Sequence, residues 1–414
     1  MKIGYACIPL TIPYRTNRTY RLSTYTNKKA SEVISNNLND LLEILKYNNL
    51  NNIKLFRISS DIIPLASHPN FDLDWISEFK DILSTIGSFI KTNNIRVSMH
   101  PGQYTILNSP KEEVVQKSIA DLKFHADFLD SLGIDYSHKL ILHIGGVYND
   151  KNSAINRFIT TYKSLPKNIK ARLIIENDER CFSFDDVFYI STQTGAPVIF
   201  DNLHQQCYLK RTLSNVETKE ILIKAASTWD NCVPKIHYSQ QAPDKKIGSH
   251  SPTIRIKEFL EYYNLINETN LDIDIMLEVK DKNLSVLKVN NIINKPPDIE
   301  INNLLHNQLH IYQYFLISKG FDYYTQASEF RDNSNISDFY NLIDNLIPTS
   351  PDIYGNKFVV DNFFSMIKDR LTSKEINYFN KLFKETNYEE CKSYLFKLCT
   401  RYNTNLQFNY YFIY

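Results

Sequence analysis

Short runs of aliphatic and β-branched residues recur along the first part of the chain. Each is followed by a stretch whose apolar positions return every three or four residues. The runs begin near Ile3 (KIGYACI), Ile53 (IKLFRIS), Ile95 (IRVSMH), Leu140 (LILHIGG), Arg172 (RLIIEND), Pro197 (PVIFDNL), Pro234 (PKIHYS) and Asp274 (DIMLEVK), and each reads as a strand. Helical periodicity is clearest over 31–50, 73–91, 114–132 and 216–228. Asp72 and Ser109 stand where helix caps belong, and Pro110 suits a first helical position. Eight strand–helix units within residues 1–290 predict an α/β fold, a closed (β/α)8 barrel of the TIM type. An open doubly wound sheet would be favoured by a glycine-rich phosphate turn after the first strand, and none is present.

Beyond Val289 the pattern changes. Lys295-Pro296-Pro297 reads as a breaker, and residues 291–414, rich in Tyr, Phe and Asn, read as a mostly helical C-terminal extension. LHIYQYFLISKGF and SKEINYFNKLF carry helical apolar spacing, but the segment offers no ligand constellation. It is expected to pack on the barrel or on a partner, with a second DNA-contacting module of exposed aromatics as the alternative. The whole chain, 414 residues with 43% hydrophobic and 22% charged positions, has globular composition. A net charge of +1 supplies no global field for nucleic acid, so any DNA affinity must be local. Cys7, Cys181, Cys207, Cys232, Cys391 and Cys399 are scattered, as expected of reduced thiols. MKIGYACIPL turns polar too early for a signal peptide, and no apolar run approaches the ~18 residues of a membrane span. The expectation is a soluble intracellular protein with no membrane association. No basic targeting cluster separates nucleus from cytoplasm.

Chemistry concentrates at the ends of the expected strands, where a TIM barrel keeps its functional face. His100, His143, Glu176, Asp201 with His204, His237 and Glu278 end strands three to eight, and His68 and His250 fall in the adjoining loops. Six of the ten histidines and three carboxylates therefore converge on one mouth, too many for a single acid/base pair. Imidazole and carboxylate together suit Mn, Zn, Fe or Co, and so many donors can share two or three ions. Such a site fits metal-assisted hydrolysis of a phosphodiester. It also fits a sugar isomerase in which two metals polarise a carbonyl and a hydroxyl, and fold alone does not choose. A purely structural zinc site would be closed and rich in cysteine, unlike this set.

The strings GYACI, FRISSDIIP with His68, SMHPGQY, LILHIGG, IIENDE, DNLHQQC, PKIHYS with GSHS, and MLEVKDK resemble the UV damage endonucleases in order and spacing over about residues 1–290. The resemblance implies a repair enzyme with a three-metal, usually manganese, site. It would cut double-stranded DNA immediately 5′ to a pyrimidine dimer or similar lesion, leaving a 3′-hydroxyl. Carried over by position, the metal ligands are His68, His100, His143, Glu176, Asp201, His204, His237, His250 and Glu278. Glu176, Lys235, His237 and Glu278 form the catalytic group, and Lys235 is at the position the family can carboxylate. Gln103 and Tyr104 follow the Pro101-Gly102 turn and correspond to the family's damage probe, a pair able to wedge into a duplex. Tyr5 would sit near the lesion pocket. Pro9 stands where family members often carry Asn, which bears on lesion preference. Arg15, Arg18 and Arg21 in the loop 14–21 are placed to track phosphates, whereas Arg57, inside strand two, reads as a buried ion-pair partner. A monomeric enzyme is expected. An abasic-site endonuclease on the same barrel and a non-catalytic damage-binding protein are the alternatives.

Overall fold

The computed structural model describes residues 1–230, 232–294, 298–332 and 334–414, so the Lys295-Pro296-Pro297 breaker lies outside the described residues. Eight parallel strands form one sheet: β1 (Ile3–Ala6), β2 (Leu55–Ile58), β3 (Arg96–Met99), β4 (Leu140–His143), β5 (Leu173–Glu176), β6 (Val198–Ile199), β7 (Lys235–Tyr238) and β8 (Asp274–Leu277). Their order is β6-β5-β4-β3-β2-β1-β8-β7. The seam between β6 and β7 is bridged at its upper end, where Asp201 pairs in parallel with His237 and the His237 N–H donates to the Phe200 carbonyl at 3.0 Å. With helices around it, the sheet is a nearly closed TIM barrel, as the alternation of runs predicts.

The strands are short and almost wholly buried, because helices cover the outside and side chains fill the inside. Each aliphatic side chain so buried contributes about 1.5–3 kcal/mol. Gly4 is required by a close approach: a Cβ there would lie 2.1 Å from the Leu55 carbonyl oxygen on the paired strand. At the floor, Arg96 on β3 pairs with Asp274 on β8 at 2.8 Å, and both are buried.

Helix starts follow capping chemistry more than apolar spacing. The first helix, Asn27–Leu50, begins earlier than expected because the Thr26 hydroxyl accepts from the Lys29 N–H at 3.2 Å. Asp72 is not a cap: its carboxylate accepts from the Tyr25 hydroxyl at 2.7 Å, and Asp74 caps the short helix Trp75–Glu78 that precedes Lys80–Thr92. Nor is Pro110 helical. The helix Glu112–Ser131 starts after Lys111, while the Ser109 hydroxyl receives the Lys111 N–H at 3.1 Å. The segment expected to open strand five at Arg172 instead ends the helix Lys167–Arg172, with the guanidinium buried against Asp130 at 2.6 Å.

Compactness divides the chain into one unit of Met1–Pro9, Tyr14–Ser251 and Leu260–Lys282, and another of Leu10–Pro13, Pro252–Phe259 and Asn283–Tyr414. The second unit is helical, with Asp298–Lys319, Phe321–Asp332, Ile336–Leu346, Ile353–Ile367, Ser373–Lys384 and Tyr388–Arg401 as its main elements. Its core gathers Val359, Phe363, Phe364, Phe379, Leu395 and Tyr411, and the Phe364 and Phe379 rings stack 3.9 Å apart. A buried Lys288–Asp344 ion pair is completed by the Thr253 hydroxyl and by the Ile256 N–H, which donates to Asp344 at 2.8 Å. No helix among the described residues is long and apolar enough to cross a membrane.

Candidate metal centre

Parallel strands deliver their C-terminal residues to one rim, and on this rim the side chains converge on Glu176, the last residue of β5. One carboxylate oxygen lies 2.7 Å from His237 Nδ1 and 3.8 Å from His204 Nδ1. The other lies 3.2 Å from His100 Nε2 and 3.6 Å from His143 Nε2. Glu278, at the end of β8, approaches His237 Nδ1 at 3.2 Å with the same Oε1 that pairs with Arg57 of β2. The strand-two arginine is thus a partner of the cluster itself. Asp201 caps the helix Asn202–Leu209, accepting the His204 N–H at 2.9 Å. Three overlapping groups of potential ligands result: His100, His143 and Glu176; Glu176, Asp201 and His204; Asp201, His237 and Glu278.

The electrostatics are those of a centre built around positive charge. Burial alone would raise the Glu176 carboxyl, but His237, His143 and the hydrogen bonds from His100 and His237 hold it well below the usual range. Burial likewise opposes ionisation of Glu278, and Arg57 and His237 overcome it, so this carboxyl too is held low. Asp201 is pushed up by burial, with the neighbouring carboxylates adding to the effect. Burial pushes His143 down to about 4. His204 moves oppositely: despite burial, Asp201, Glu176 and Glu278 raise it to about 9, so a proton on its ring offsets their charge. Asp201 Oδ2, His237 Nε2 and His143 Nδ1 are buried without a hydrogen-bond partner among the described residues. Orphaned lone pairs of this kind are costly unless satisfied. A divalent cation satisfies imidazole nitrogens and carboxylate oxygens together, so the donor set fits metal ions.

Two ligand candidates stand apart from the three groups. His250 lies across from His204, ring centroids 6.4 Å apart, in an antiparallel bridge with Gln241. His68 accepts the Asn70 N–H on its Nδ1 at 3.1 Å within its own loop. Lys235 opens β7, and strand alternation puts it on the same face as His237. Burial, then the Arg96 and Arg57 charges, hold its amine well below the ordinary lysine value.

Gln103 and Tyr104 project from the loop after β3, Tyr104 with 83% of its surface exposed. The base of this loop is pinned where the Thr105 hydroxyl donates to Asp121 at 2.6 Å. A cavity of about 330 Å³ beside it is lined by Gln103, His100, His143, His204, Arg180 and Cys181. Tyr5 requires a correction. Its ring is wholly buried edge-on to Phe56, and its hydroxyl donates to Asn48 at 2.8 Å, on the last turns of the helix Asn27–Leu50. That turn lies beneath the strands, so the Tyr5 side chain is directed away from the mouth. Arg18 is committed to Asp40 at 2.7 Å and to the Arg15 carbonyl at 2.6 Å, while Arg15 and Arg21 are exposed. Pro9 is buried, and the six cysteines are free thiols.

Two asparagines that sequence reasoning passed over tie strand ends together, Asn177 joining the end of β5 to that of β6 and Asn202 crossing the seam from β6 to β7. The Asn177 side chain accepts the Asp201 N–H at 2.9 Å and donates to the Asp201 carbonyl at 3.0 Å. The Asn202 side chain does the same for Ser239, at 2.9 and 3.0 Å. They supply side-chain hydrogen bonds where β6 stops short, and thereby fix Asp201. Their only signal is position, immediately after a strand-end acid in IIEND and IFDN.

Fold and site together define a TIM-barrel protein whose mouth carries a histidine and carboxylate centre suited to divalent cations. Residues 1–309 match the family described as UV-endonuclease UvdE, and the chain belongs to that family. It is 47% identical over 406 residues to the UV DNA damage endonuclease of Clostridium perfringens, covering 96% of each chain. To the UV DNA damage endonuclease of Bacillus cereus strain Q1 it is 34% identical over 262 residues, 63% of this chain and 81% of that one. The crystal structure of SacUVDE superposes with a TM-score of 0.67 at 44% identity, covering 71% of this chain and 98% of that chain.

Proposed function

We propose that this chain is a DNA-repair endonuclease that hydrolyses the phosphodiester immediately 5′ to UV photoproducts, using two or three divalent ions, manganese the first candidate. The observation that carries the reading is the cluster of His100, His143, Glu176, Asp201, His204, His237 and Glu278, with three buried donor atoms that have no hydrogen-bond partner among the described residues. His250 and His68 complete the ligand set that family resemblance suggests. Divalent ions held by these residues would supply an activated water and would neutralise charge on the phosphate and the leaving oxygen.

The protein's own groups set the geometry for this chemistry. Glu176 presents each oxygen to two imidazoles and so lies between two sets of donors. Arg57 holds Glu278 against His237 and keeps it ionised. Lys235 takes up carbon dioxide on its amine, releasing a proton and becoming a carbamate. Its burial beside His237, with two guanidinium charges acting on it, supports that form. Tyr104 and Gln103 enter the duplex as a wedge, so damaged nucleotides, already weakly stacked, turn out toward the centre. Arg15 and Arg21 contact phosphates without reading sequence. The enzyme acts as a monomer inside the cell, consistent with its free thiols.

A duplex carrying one defined pyrimidine dimer, incubated with the protein and Mn²⁺, tests this reading. A single nick directly 5′ to the dimer, with a 3′ end that a polymerase extends, is expected. Cleavage of an abasic duplex but not of the dimer duplex would transfer the assignment to abasic-site repair, and no cleavage of either would remove the nuclease reading.

A further inference from the structure

The loop after β7 has more structure than a ligand-bearing connection needs. Residues 241–250 form a small antiparallel hairpin closed by the Gln241–His250 bridge and by the Ala242 N–H donating to the Ser249 carbonyl at 2.7 Å. The Gln241 side chain braces it from within, accepting the Gly248 N–H at 2.8 Å and donating to the Lys246 carbonyl at 3.1 Å. Asp244 (φ 53°) and Gly248 (φ 86°) make its tight turns in the left-handed region. At the tip stand Lys245, Lys246 and Ile247, all exposed, Ile247 by 75%. An apolar side chain held out to solvent on a braced turn gains nothing for the fold.

Its placement supplies a reason. Among the described large apolar residues of the barrel unit, only Leu50 and Tyr104 are more exposed than Ile247. Leu50 ends the first helix, at the strand N-termini, whereas Tyr104 and Ile247 follow the C-termini of β3 and β7. In the strand order these two lie four places apart, on opposite sides of the ring. The hairpin sits at the rim: a Cβ on Gly248 would lie 3.9 Å from Cys207 Sγ, on the helix that carries His204. That helix ends at exposed Lys210, which adds a third cation on this side. The ligand cluster thus lies between two braced loops, each with one apolar tip.

We infer that the 241–250 hairpin is a second DNA-gripping element. In it Lys245, Lys246 and Lys210 hold backbone phosphates, and Ile247 rests as an apolar anchor in the groove facing the one that Tyr104 enters. The inference rests on the proposed action on duplex DNA. The chain's net charge of +1 makes such local cations the available source of affinity, and apolar side chains on rigid tips are a recurrent means of holding a bent duplex.

The test is fluorescence anisotropy of the full chain, loaded with Mn²⁺, on a dimer-containing and an undamaged duplex across a salt series. Lys245→Gln/Lys246→Gln should flatten the dependence of log affinity on log salt by about 1.8, from about 0.9 per lost phosphate contact. Ile247→Ser should weaken dimer-duplex binding about tenfold at unchanged salt dependence, with Ile247→Leu close to wild type. Metal content and melting temperature should be unchanged in all three variants, since none touches the ligands or the core. Wild-type affinities and salt slopes in all three, with the wild type still preferring dimer DNA, would overturn the hairpin's role alone. A wild type that binds neither duplex would overturn it together with the function proposed above.

Discussion

Replacing Asn177 by Ala tests whether the junction of β5 and β6 and the centre are one structure. The side chain makes two buried hydrogen bonds, to the N–H and the carbonyl of Asp201, at 2.9 and 3.0 Å. The Asp201 N–H loses its partner in the variant, whereas the carbonyl keeps the Gln205 N–H at 3.2 Å, and a buried orphaned group costs about 1–3 kcal/mol. The expected destabilisation is therefore about 1–3 kcal/mol, which at roughly 2 °C per kcal/mol for a large domain lowers Tm by roughly 2–6 °C. Asp201 belongs to two of the three ligand groups and caps the helix carrying His204. Freed at its backbone, it should also bind cation less well, so added Mn²⁺ should raise the Tm of the variant less than that of wild type. Thermal melts of metal-stripped protein, repeated over a Mn²⁺ titration, read both effects. A variant within about 0.5 kcal/mol of wild type, with the same metal-induced shift, would refute the claim that Asn177 secures Asp201, since so small a change is what an ordinary surface position gives.

Gly4→Ala should abolish accumulation of soluble protein, because a Cβ only 2.1 Å from the Leu55 carbonyl oxygen forces β1 and β2 apart; a normal yield with an unshifted melt would contradict this. His138 is held neutral at the barrel floor, pushed by burial from 6.5 to about 4, with its Nδ1 accepting the Val97 N–H at 3.0 Å. The depressed value means its contribution is complete above pH 6.5 and is lost as pH falls toward 4, about 3 kcal/mol in all. Urea midpoints of wild type and His138→Asn should therefore diverge above pH 6.5 and converge near 4, and parallel curves would count against it. In the helical unit, Lys288→Met leaves the buried Asp344 charge unpaired and should cost about 3–5 kcal/mol. Lys288→Met/Asp344→Asn, which keeps an acceptor for the Ile256 N–H, should recover part of that loss in the same melt; a double variant no more stable than the single one would show that the unpaired charge is not the cause.

What could be read from the sequence, and what could not, follows from how local each cause is. A parallel strand buried on both faces is an uninterrupted aliphatic run, so LILH and LIIE announce themselves, and a parallel barrel then places their last residues on one rim without further information. Helix starts depend on which of several nearby polar side chains meets a free N–H. Asp74 caps in place of Asp72 because its carboxylate meets the Ser77 N–H, whereas Lys111 precedes its helix in place of Ser109 with no side-chain cap, and spacing decides neither. Tyr5 was misplaced for a related reason: strand position fixes the face a side chain points to only once the neighbouring strands are known, and its hydroxyl turns to Asn48 beneath the sheet. Arg57 was legible as an ion-pair member, but its partner Glu278 lies 221 residues away. Asn177 and Asn202 act through backbone groups of other strands, which leave no trace in residue type.

The proposed metal-dependent cleavage of UV-damaged DNA rests on the histidine and carboxylate centre around Glu176. Its most direct test is nicking of UV-irradiated supercoiled plasmid, with and without Mn²⁺, by wild type and by Glu176→Gln. Metal-dependent relaxation of irradiated plasmid only is expected, lost in Glu176→Gln while that variant still folds. Equal nicking of unirradiated plasmid, nicking that persists in chelator, or full activity in Glu176→Gln would contradict it.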